Sequence, residues 1–280
     1  MVSKSLPLRW AGAALGLAAM LLACHKKPIA GEQVAARIRP FSFQVESGKG
    51  VFQIEGYIAL VGPAGKQPAV LIVNPRAGNA RRCIDSSHWL NALGLQVACI
   101  SMPGSGASSG PGRFIGPQAV VAVQRALKLL AHRPDVDANR LGVWGSFDGA
   151  MAVGLAMDSD LHARAVILES GTYDMVKLWS SASLLAKLKI LHQVWPSHRA
   201  LDERSVLPHL PPHLDLSVLI LHGEHDDKSP PAQARLLEQQ LKERGAYVEA
   251  YYFADGGHDL GRRVDGPVEE FLRQRLIAEK

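Results

Sequence analysis

Two glycines, Gly145 and Gly149, frame the segment of this chain whose spacing points most directly to chemistry. The five residues Gly-Ser-Phe-Asp-Gly follow a short apolar strand pattern and precede a helical one. That is the context of a nucleophile elbow, Gly-x-Ser-x-Gly, a sharp strand-to-helix turn that exposes a nucleophilic side chain. Strand and helix nearly touch in such a turn, so the residues two before and two after the nucleophile must be small.

The frame set by these glycines places Phe147 in the nucleophile slot. Placing Ser146 there instead would put Trp144 and Asp148 in the crowded positions, and this second frame is the alternative. Phenylalanine cannot attack a carbonyl, because covalent catalysis needs an oxygen or sulfur nucleophile held against a base. We therefore expect the acyl-enzyme route to be weakened or lost, with Ser146 as a doubtful nucleophile.

Backbone N–H groups near the elbow are the expected oxyanion-binding groups. One belongs to Asp148, the residue after the slot, whose carboxylate is also favoured at a helix N-terminus. The other is expected in the loop after the strand ending at Val73. Pro75 has no N–H, which leaves Arg76 or Ala77 as the donor. An anionic ligand for the Arg76 side chain and an ordinary surface position both fit the sequence.

The sequence around the elbow predicts a hairpin followed by alternating strands and helices. Residues 41–45 and 51–57 have the polar–apolar alternation of a hairpin, and from residue 69 strand and helix patterns follow each other. This order predicts one α/β domain over 39–280, a mostly parallel sheet with helices on both faces. Residues 172–215 interrupt the rhythm. We expect a small helical insertion, or cap, over the carboxyl ends of the strands; a surface excursion without function is the alternative.

Three further segments carry a family resemblance: the Gly/Ser-rich loop at 100–111, His-Gly-Glu-His-Asp at 222–226, and Gly-Gly-His at 256–258. With the elbow, they resemble the α/β-hydrolase superfamily over residues 50–280, nearest to its dienelactone-hydrolase and prolyl-oligopeptidase-like branches. The resemblance implies the α/β-hydrolase fold, with Asp226 as triad acid and His258 as base. Asp227 is the alternative acid.

The same resemblance implies an ester, amide or peptide ligand and no cofactor. Two functions stay open. The first is a hydrolase in which Ser146, or a water activated by His258, attacks the substrate with reduced efficiency. The second is a non-catalytic ligand-binding or structural pseudo-hydrolase, which kept the pocket and lost the chemistry through Phe147. Fold does not decide between them, because function depends on the site.

The first residues have the order of a bacterial signal peptide. Lys4 and Arg9 precede an apolar stretch, residues 10–22, that is too short to span a bilayer comfortably. Leu-Leu-Ala-Cys at 21–24 resembles a lipoprotein lipobox, which predicts a signal peptide over 1–23, acylation of Cys24 and a tether over 24–38. The implied location is the cell envelope, at the outer membrane facing the periplasm. An ordinary secretory signal is the alternative.

Composition excludes several other classes. The formal charge of +5 is mild and no dense basic stripe occurs, so we expect no nucleic-acid partner. The Cys/His spacing does not resemble a zinc site. An oxidising envelope would permit a disulfide between Cys83 and Cys99. Alternatively Cys99, which lies within an apolar strand pattern, is a small buried hydrophobe.

Overall fold

The computed structural model describes residues 36–278, apart from 49, 63–64, 76–77, 112–114, 158–160 and 194–196. Its strands are β1 (Arg37–Ser47), β2 (Gly50–Leu60), β3 (Gln67–Val73), β4 (Gln96–Ile100), β5 (Val136–Ser146), β6 (Ala165–Glu169), β7 (Ser217–Gly223) and β8 (Tyr247–Phe253). Its helices are α1 (Ala80–Ser86), α2 (His88–Asn91), α3 (Pro117–Ala131), α4 (Asp148–Leu155), α5 (Met175–Ser181), α6 (Leu184–Gln193), α7 (His198–Asp202), α8 (Ala232–Glu243) and α9 (Asp265–Leu272).

All these strands form one sheet in the order β1-β2-β4-β3-β5-β6-β7-β8. β2 is antiparallel to both of its neighbours, β1 and β4. Every pairing from β4 to β8 is parallel. Strands inside a parallel sheet are covered on both faces, which explains why β4 and β6 are buried along their whole length. The predicted α/β-hydrolase fold is confirmed.

Two separate hydrophobic clusters lie on the two faces of the sheet. Successive residues of a strand point to opposite faces, so Leu71 belongs to one cluster and Ile72 to the other. Val123 of α3 and Leu237 of α8 pack in the first cluster, and Phe271 of α9 packs in the second. The prediction of helices on both faces is therefore confirmed.

Two short helices, α1 and α2, lie between β3 and β4. Asn79 begins α1 by accepting a hydrogen bond from the backbone N–H of Arg82, a cap that the hydrophobic pattern did not reveal. The predicted tether over 24–38 overlaps β1, which begins at Arg37. Residues 1–23 and Cys24 lie outside the described residues.

A disulfide joins Cys83 of α1 to Cys99 of β4, with a Cα–Cα distance of 6.1 Å. Both residues are buried beneath the helices that cover the second face. Cys99 is thus both a disulfide partner and a wholly buried core residue. The two interpretations of Cys99 that the sequence left open therefore both apply. Within the described ranges, no helix has the length and apolar character needed to cross a membrane.

Candidate active site

The turn between β5 and α4 has the geometry of a nucleophile elbow, with Phe147 at its tip. Phe147 has φ 57° and ψ −119°, a conformation that is strained for any residue with a side chain. A Cβ on Gly145 would clash with the carbonyl oxygen of Gly149, and a Cβ on Gly149 would clash with that of Val73. These close backbone approaches set the frame, so the slot holds Phe147 and not Ser146.

The Phe147 ring lies against His258. The two ring centroids are 4.5 Å apart and the planes are inclined by 39°. An aromatic side chain therefore fills the space beside the imidazole where a nucleophilic oxygen would have to stand. Because benzyl carbon atoms cannot donate a proton to the imidazole, the contact is one of packing and not of acid–base chemistry.

Ser146 points to a different partner. Its hydroxyl donates a hydrogen bond of 2.8 Å to Oε2 of Glu169, and the indole N–H of Trp144 donates to the same oxygen at 3.1 Å. Ser146 and Glu169 face each other across the paired ends of β5 and β6. The serine that the sequence offered as a doubtful nucleophile is thus engaged beneath the elbow.

Glu169 is a buried carboxyl that sequence reasoning missed. Burial raises the pKa of this group, although the hydrogen bonds from Ser146 and Trp144 oppose the shift. The one available signal was an acidic residue at the end of the otherwise apolar strand β6. Its proton is retained to higher pH than in an exposed glutamate, and a neutral carboxyl fits the apolar surroundings.

Asp226 and His258 are brought together by the loops after β7 and β8. Nδ1 of His258 lies 2.8 Å from Oδ2 and 3.0 Å from Oδ1 of Asp226. The two loops touch at glycines, since a Cβ on Gly223 would clash with the carbonyl oxygens of Gly256 and Gly257. The exposed Asp227 lines the neighbouring cavity, and both bonds to the Nδ1 atom go to Asp226.

The contact with Asp226 determines which ring nitrogen of His258 carries the proton. Nδ1 faces a carboxylate, which only accepts hydrogen bonds, so Nδ1 carries the proton. In the neutral ring Nε2 is then the basic nitrogen, as in a triad histidine. The side chain keeps 21% of its surface exposed, so the imidazole is accessible from the cavity it lines.

A second imidazole supports the carboxylate from the buried side. Nε2 of His222 lies 3.3 Å from Oδ2 of Asp226 and 2.7 Å from the carbonyl oxygen of Ser229. Both neighbours are acceptors, which places a proton on this nitrogen. The backbone N–H of Ser229 also donates to Oδ1 at 2.9 Å. The sequence alone did not reveal this contact between His222 and Asp226.

Burial by itself raises the pKa of the Asp226 carboxyl, which is only 4% exposed. Hydrogen bonds from His222, His258 and the Ser229 N–H outweigh that effect and hold the pKa well below its usual range. Asp226 is consequently ionised at neutral pH. A fixed anion at this position orients His258 and stabilises the imidazolium that proton transfer would form.

A cavity of about 710 Å³ lies over these groups, within the size range of small-molecule sites. Its floor includes Phe147, Asp148 and His258, and its far wall comes from the predicted insertion. The insertion contributes residues of helices α5 and α6 to this wall, among them Met175 of α5. The part of the insertion between residues 172 and 190 therefore lines the cavity at the carboxyl edge of the sheet.

Ser170 is a second cavity residue that the sequence did not reveal. It follows β6 with φ 50°, which makes it, like Phe147, a non-glycine residue with positive φ. Its side chain is buried, and its hydroxyl has no hydrogen-bond partner among the described residues. Strained backbone and unmatched buried polar groups concentrate at functional sites. Ser170 lines the cavity, while its hydroxyl oxygen is buried and closed off from solvent in this structure.

The expected oxyanion groups are only partly described. Asp148 opens α4 and lines the cavity, at a helix end that favours negative charge. The carbonyl oxygen of Asn74 lies close to Gly149, so the loop after β3 starts beside the elbow. Arg76 and Ala77, the predicted donors in this loop, lie outside the described residues.

Sequence comparison connects these features with known proteins. A model of the prolyl oligopeptidase family matches residues 114–275, which include the elbow, the insertion, Asp226 and His258. An uncharacterised protein of Mycobacterium tuberculosis is 28% identical over 222 residues, covering 77% of this chain and 71% of the relative. The uncharacterised peptidase YuxL of Bacillus subtilis is 26% identical over 144 residues, covering 50% of this chain and 21% of the relative.

Solved structures share the fold at low identity. An acetyl xylan esterase from a Thermoanaerobacterium species has a TM-score of 0.65 and 17% identity, with 86% of this chain and 89% of that chain covered. An acylaminoacyl peptidase from Pyrococcus horikoshii has a TM-score of 0.69 and 18% identity, with 88% of this chain but 43% of that chain covered. At these identities the similarity establishes the fold.

Proposed function

Because the chain belongs to the prolyl oligopeptidase family, we propose that it is a hydrolase-like envelope protein whose triad catalysis is weakened or lost at Phe147. It binds a small ester, amide or peptide in the cavity above Asp226 and His258. Turnover through an acyl-enzyme is slow or absent, since no hydroxyl or thiol stands at the elbow tip.

One observation carries this proposal: the Phe147 ring packs on the His258 imidazole at 4.5 Å. Asp226 and His258 form a complete acid–base pair, and the member of the triad that is missing is the nucleophile. Ser146 does not replace it, because its hydroxyl is bonded to Glu169 on the buried side of the turn. The positive φ at position 147 supports the same frame.

The ligand class rests on the family and on the cavity. The solved neighbours include an esterase and a peptidase, which act at carbonyl centres. The cavity here combines apolar side chains, such as Met151 and Leu178, with the imidazole and with the charged residues Asp148, Asp227 and Lys228. A carbonyl compound with an apolar substituent suits that lining.

The alternative is a binding protein without turnover, and the Phe147 ring against the His258 imidazole favours it. A cavity that keeps the imidazole and fills its nucleophile slot with a ring is suited to holding a ligand. Between the two lies a direct route, in which Nε2 of His258 takes a proton from a water molecule and the resulting hydroxide attacks the carbonyl. The bond to the alcohol or amine then breaks, and the imidazolium returns its proton to that leaving group.

Labelling with a fluorophosphonate probe tests the proposal, because the probe reacts with activated serines. The wild type should remain unlabelled under conditions that label the Phe147→Ser variant. Wild-type labelling that disappears in Ser146→Ala would overturn it. Slow ester hydrolysis that is lost in His258→Ala, without labelling, would identify the water route. Ligand binding without hydrolysis would identify the binding protein.

We also propose that the protein is anchored in the cell envelope through acylated Cys24, at the outer membrane facing the periplasm. The support is the order of basic, apolar and Leu-Leu-Ala-Cys residues at the start of the chain. The disulfide between Cys83 and Cys99 agrees with an oxidising compartment.

A further inference from the structure

Helix α6 exposes an unusual apolar face beside the cavity. The exposed fractions of Leu184, Leu185, Leu188 and Leu191 are 73%, 73%, 52% and 38%. Leu184, Leu188 and Leu191 recur at the spacing of a single helical face. Single exposed leucines are ordinary, but a run of them on one short helix marks a surface that contacts another apolar phase.

The charged residues in the chain segment that carries α6 are basic. Residues 175–201 contain Lys177, Lys187, Lys189 and Arg199 and no aspartate or glutamate. Arg199 is paired with Glu203, and the acidic residues Asp148 and Asp227, on other elements, line the adjoining cavity. Lys177 is exposed, and the Lys187 ammonium lies over the Trp179 ring at 5.6 Å from its centroid. Leucines flanked by lysines are the composition of a helix that lies in a membrane interface.

We propose that α6 docks the domain on the surface of a membrane rich in anionic phospholipids. The leucine face enters the boundary between headgroups and acyl chains, and the ammonium groups of Lys177 and Lys187 bind the phosphates. Leu185 and Ile190 of the same helix line the cavity, so docking places the cavity wall against the bilayer. This inference goes beyond the proposed function and does not require acylation of Cys24.

The positive charge of the lysines beside the leucines favours an anionic membrane as the surface that covers α6. An acidic or neutral apolar protein partner would also cover leucines, but a broad anionic surface matches several lysines without needing a shaped groove. A second copy of this chain would bring the same lysines face to face, which like-charge repulsion disfavours.

An environment-sensitive fluorophore on α6 tests the proposal in the full chain. A Cys24→Ser background removes the acylation site and leaves Cys83 and Cys99 in their disulfide, so a cysteine introduced by Leu188→Cys is the free thiol to be labelled with NBD. The matched control carries the label through Gln239→Cys on α8, an exposed position outside the insertion. Vesicles of phosphatidylcholine with and without phosphatidylglycerol are then added.

We expect a blue shift and brighter emission for the label at position 188 with phosphatidylglycerol vesicles, weakening as salt is raised, and no change at position 239. Leu184→Ser with Leu191→Ser should reduce vesicle partitioning reported at position 188 on the order of 25-fold, about fivefold for each leucine. Circular dichroism checks that these surface variants are folded.

Three outcomes would overturn the proposal. The label at position 188 stays unchanged while the chain sediments with the vesicles, which means that only the N-terminal segment binds. Both labels shift alike, which means that adsorption is not through α6. The shift at position 188 appears without vesicles and grows with protein concentration, which means that a second copy covers the helix.

Discussion

Replacing Phe147 by serine should create esterase activity, because the substitution supplies the nucleophilic hydroxyl that the described elbow lacks. The elbow geometry is set by Gly145 and Gly149 and by their contacts with the backbone, none of which involves the side chain at 147. Serine is subject to the same backbone strain as phenylalanine, so the positive φ of this position adds no new cost. The Asp226–His258 pair is already in bonding geometry.

The size of the effect follows from two opposing contributions. Phe147 is half-buried, so removing its ring costs about 1–2 kcal/mol of folding stability, which a domain of this size tolerates. Base-assisted attack contributes roughly 10²–10⁴ in rate when nucleophile and imidazole meet. We expect kcat/KM for p-nitrophenyl acetate to rise at least about 100-fold over wild type, equivalent to about 2.7 kcal/mol of barrier.

Matched variants distinguish the effect of a new nucleophile from the effect of opening space beside the imidazole. Phe147→Ala opens the same space without a nucleophile and should stay near the wild-type rate. Phe147→Ser combined with His258→Ala should lose the gain. The reasoning is refuted if folded Phe147→Ser is no faster than Phe147→Ala, because residue 147 would then not meet the imidazole. Substantial wild-type activity abolished by Ser146→Ala would refute the frame itself.

Three other predictions test the surroundings. Gly149→Ala should destabilise the fold by more than about 3 kcal/mol in urea unfolding, because the new Cβ clashes with the Val73 carbonyl oxygen. Gly266→Ala, with open space at its Cβ in α9, should be neutral or stabilising. Equal effects of the two substitutions would contradict the close approach of Gly149 to Val73. Glu169→Gln should gain stability over wild type as pH rises from about 4, and the gain should level off above the pKa of Glu169 in the folded protein. A raised pKa stabilises the wild-type fold most when the carboxyl is protonated, and that contribution is lost on ionisation. A difference in stability that does not change with pH would exclude a raised pKa for Glu169. Metabolic palmitate labelling should mark the wild type and be lost in Cys24→Ser, and labelling that persists would rule out acylation there.

The sequence alone determined the fold class and the position of the elbow. Alternation of apolar runs and helical patterns is a local property, and it requires a layered α/β arrangement because both faces of a parallel sheet must be covered. The spacing of Gly145 and Gly149 identified the slot, since only small residues fit where strand and helix touch. The segments around Asp226 and His258 pointed to these two residues through their resemblance to the α/β-hydrolase superfamily.

Tertiary structure decided the contacts between residues distant in the chain. Ser146 bonds to Glu169, and His222 supports Asp226, because neighbouring strands bring their ends together in a register that periodicity does not encode. The unmatched hydroxyl of Ser170 is likewise invisible in a sequence, since serine is common and its burial depends on the packing around it. The same holds for α6: its leucines have helical spacing, and only the packed domain shows that they face outward.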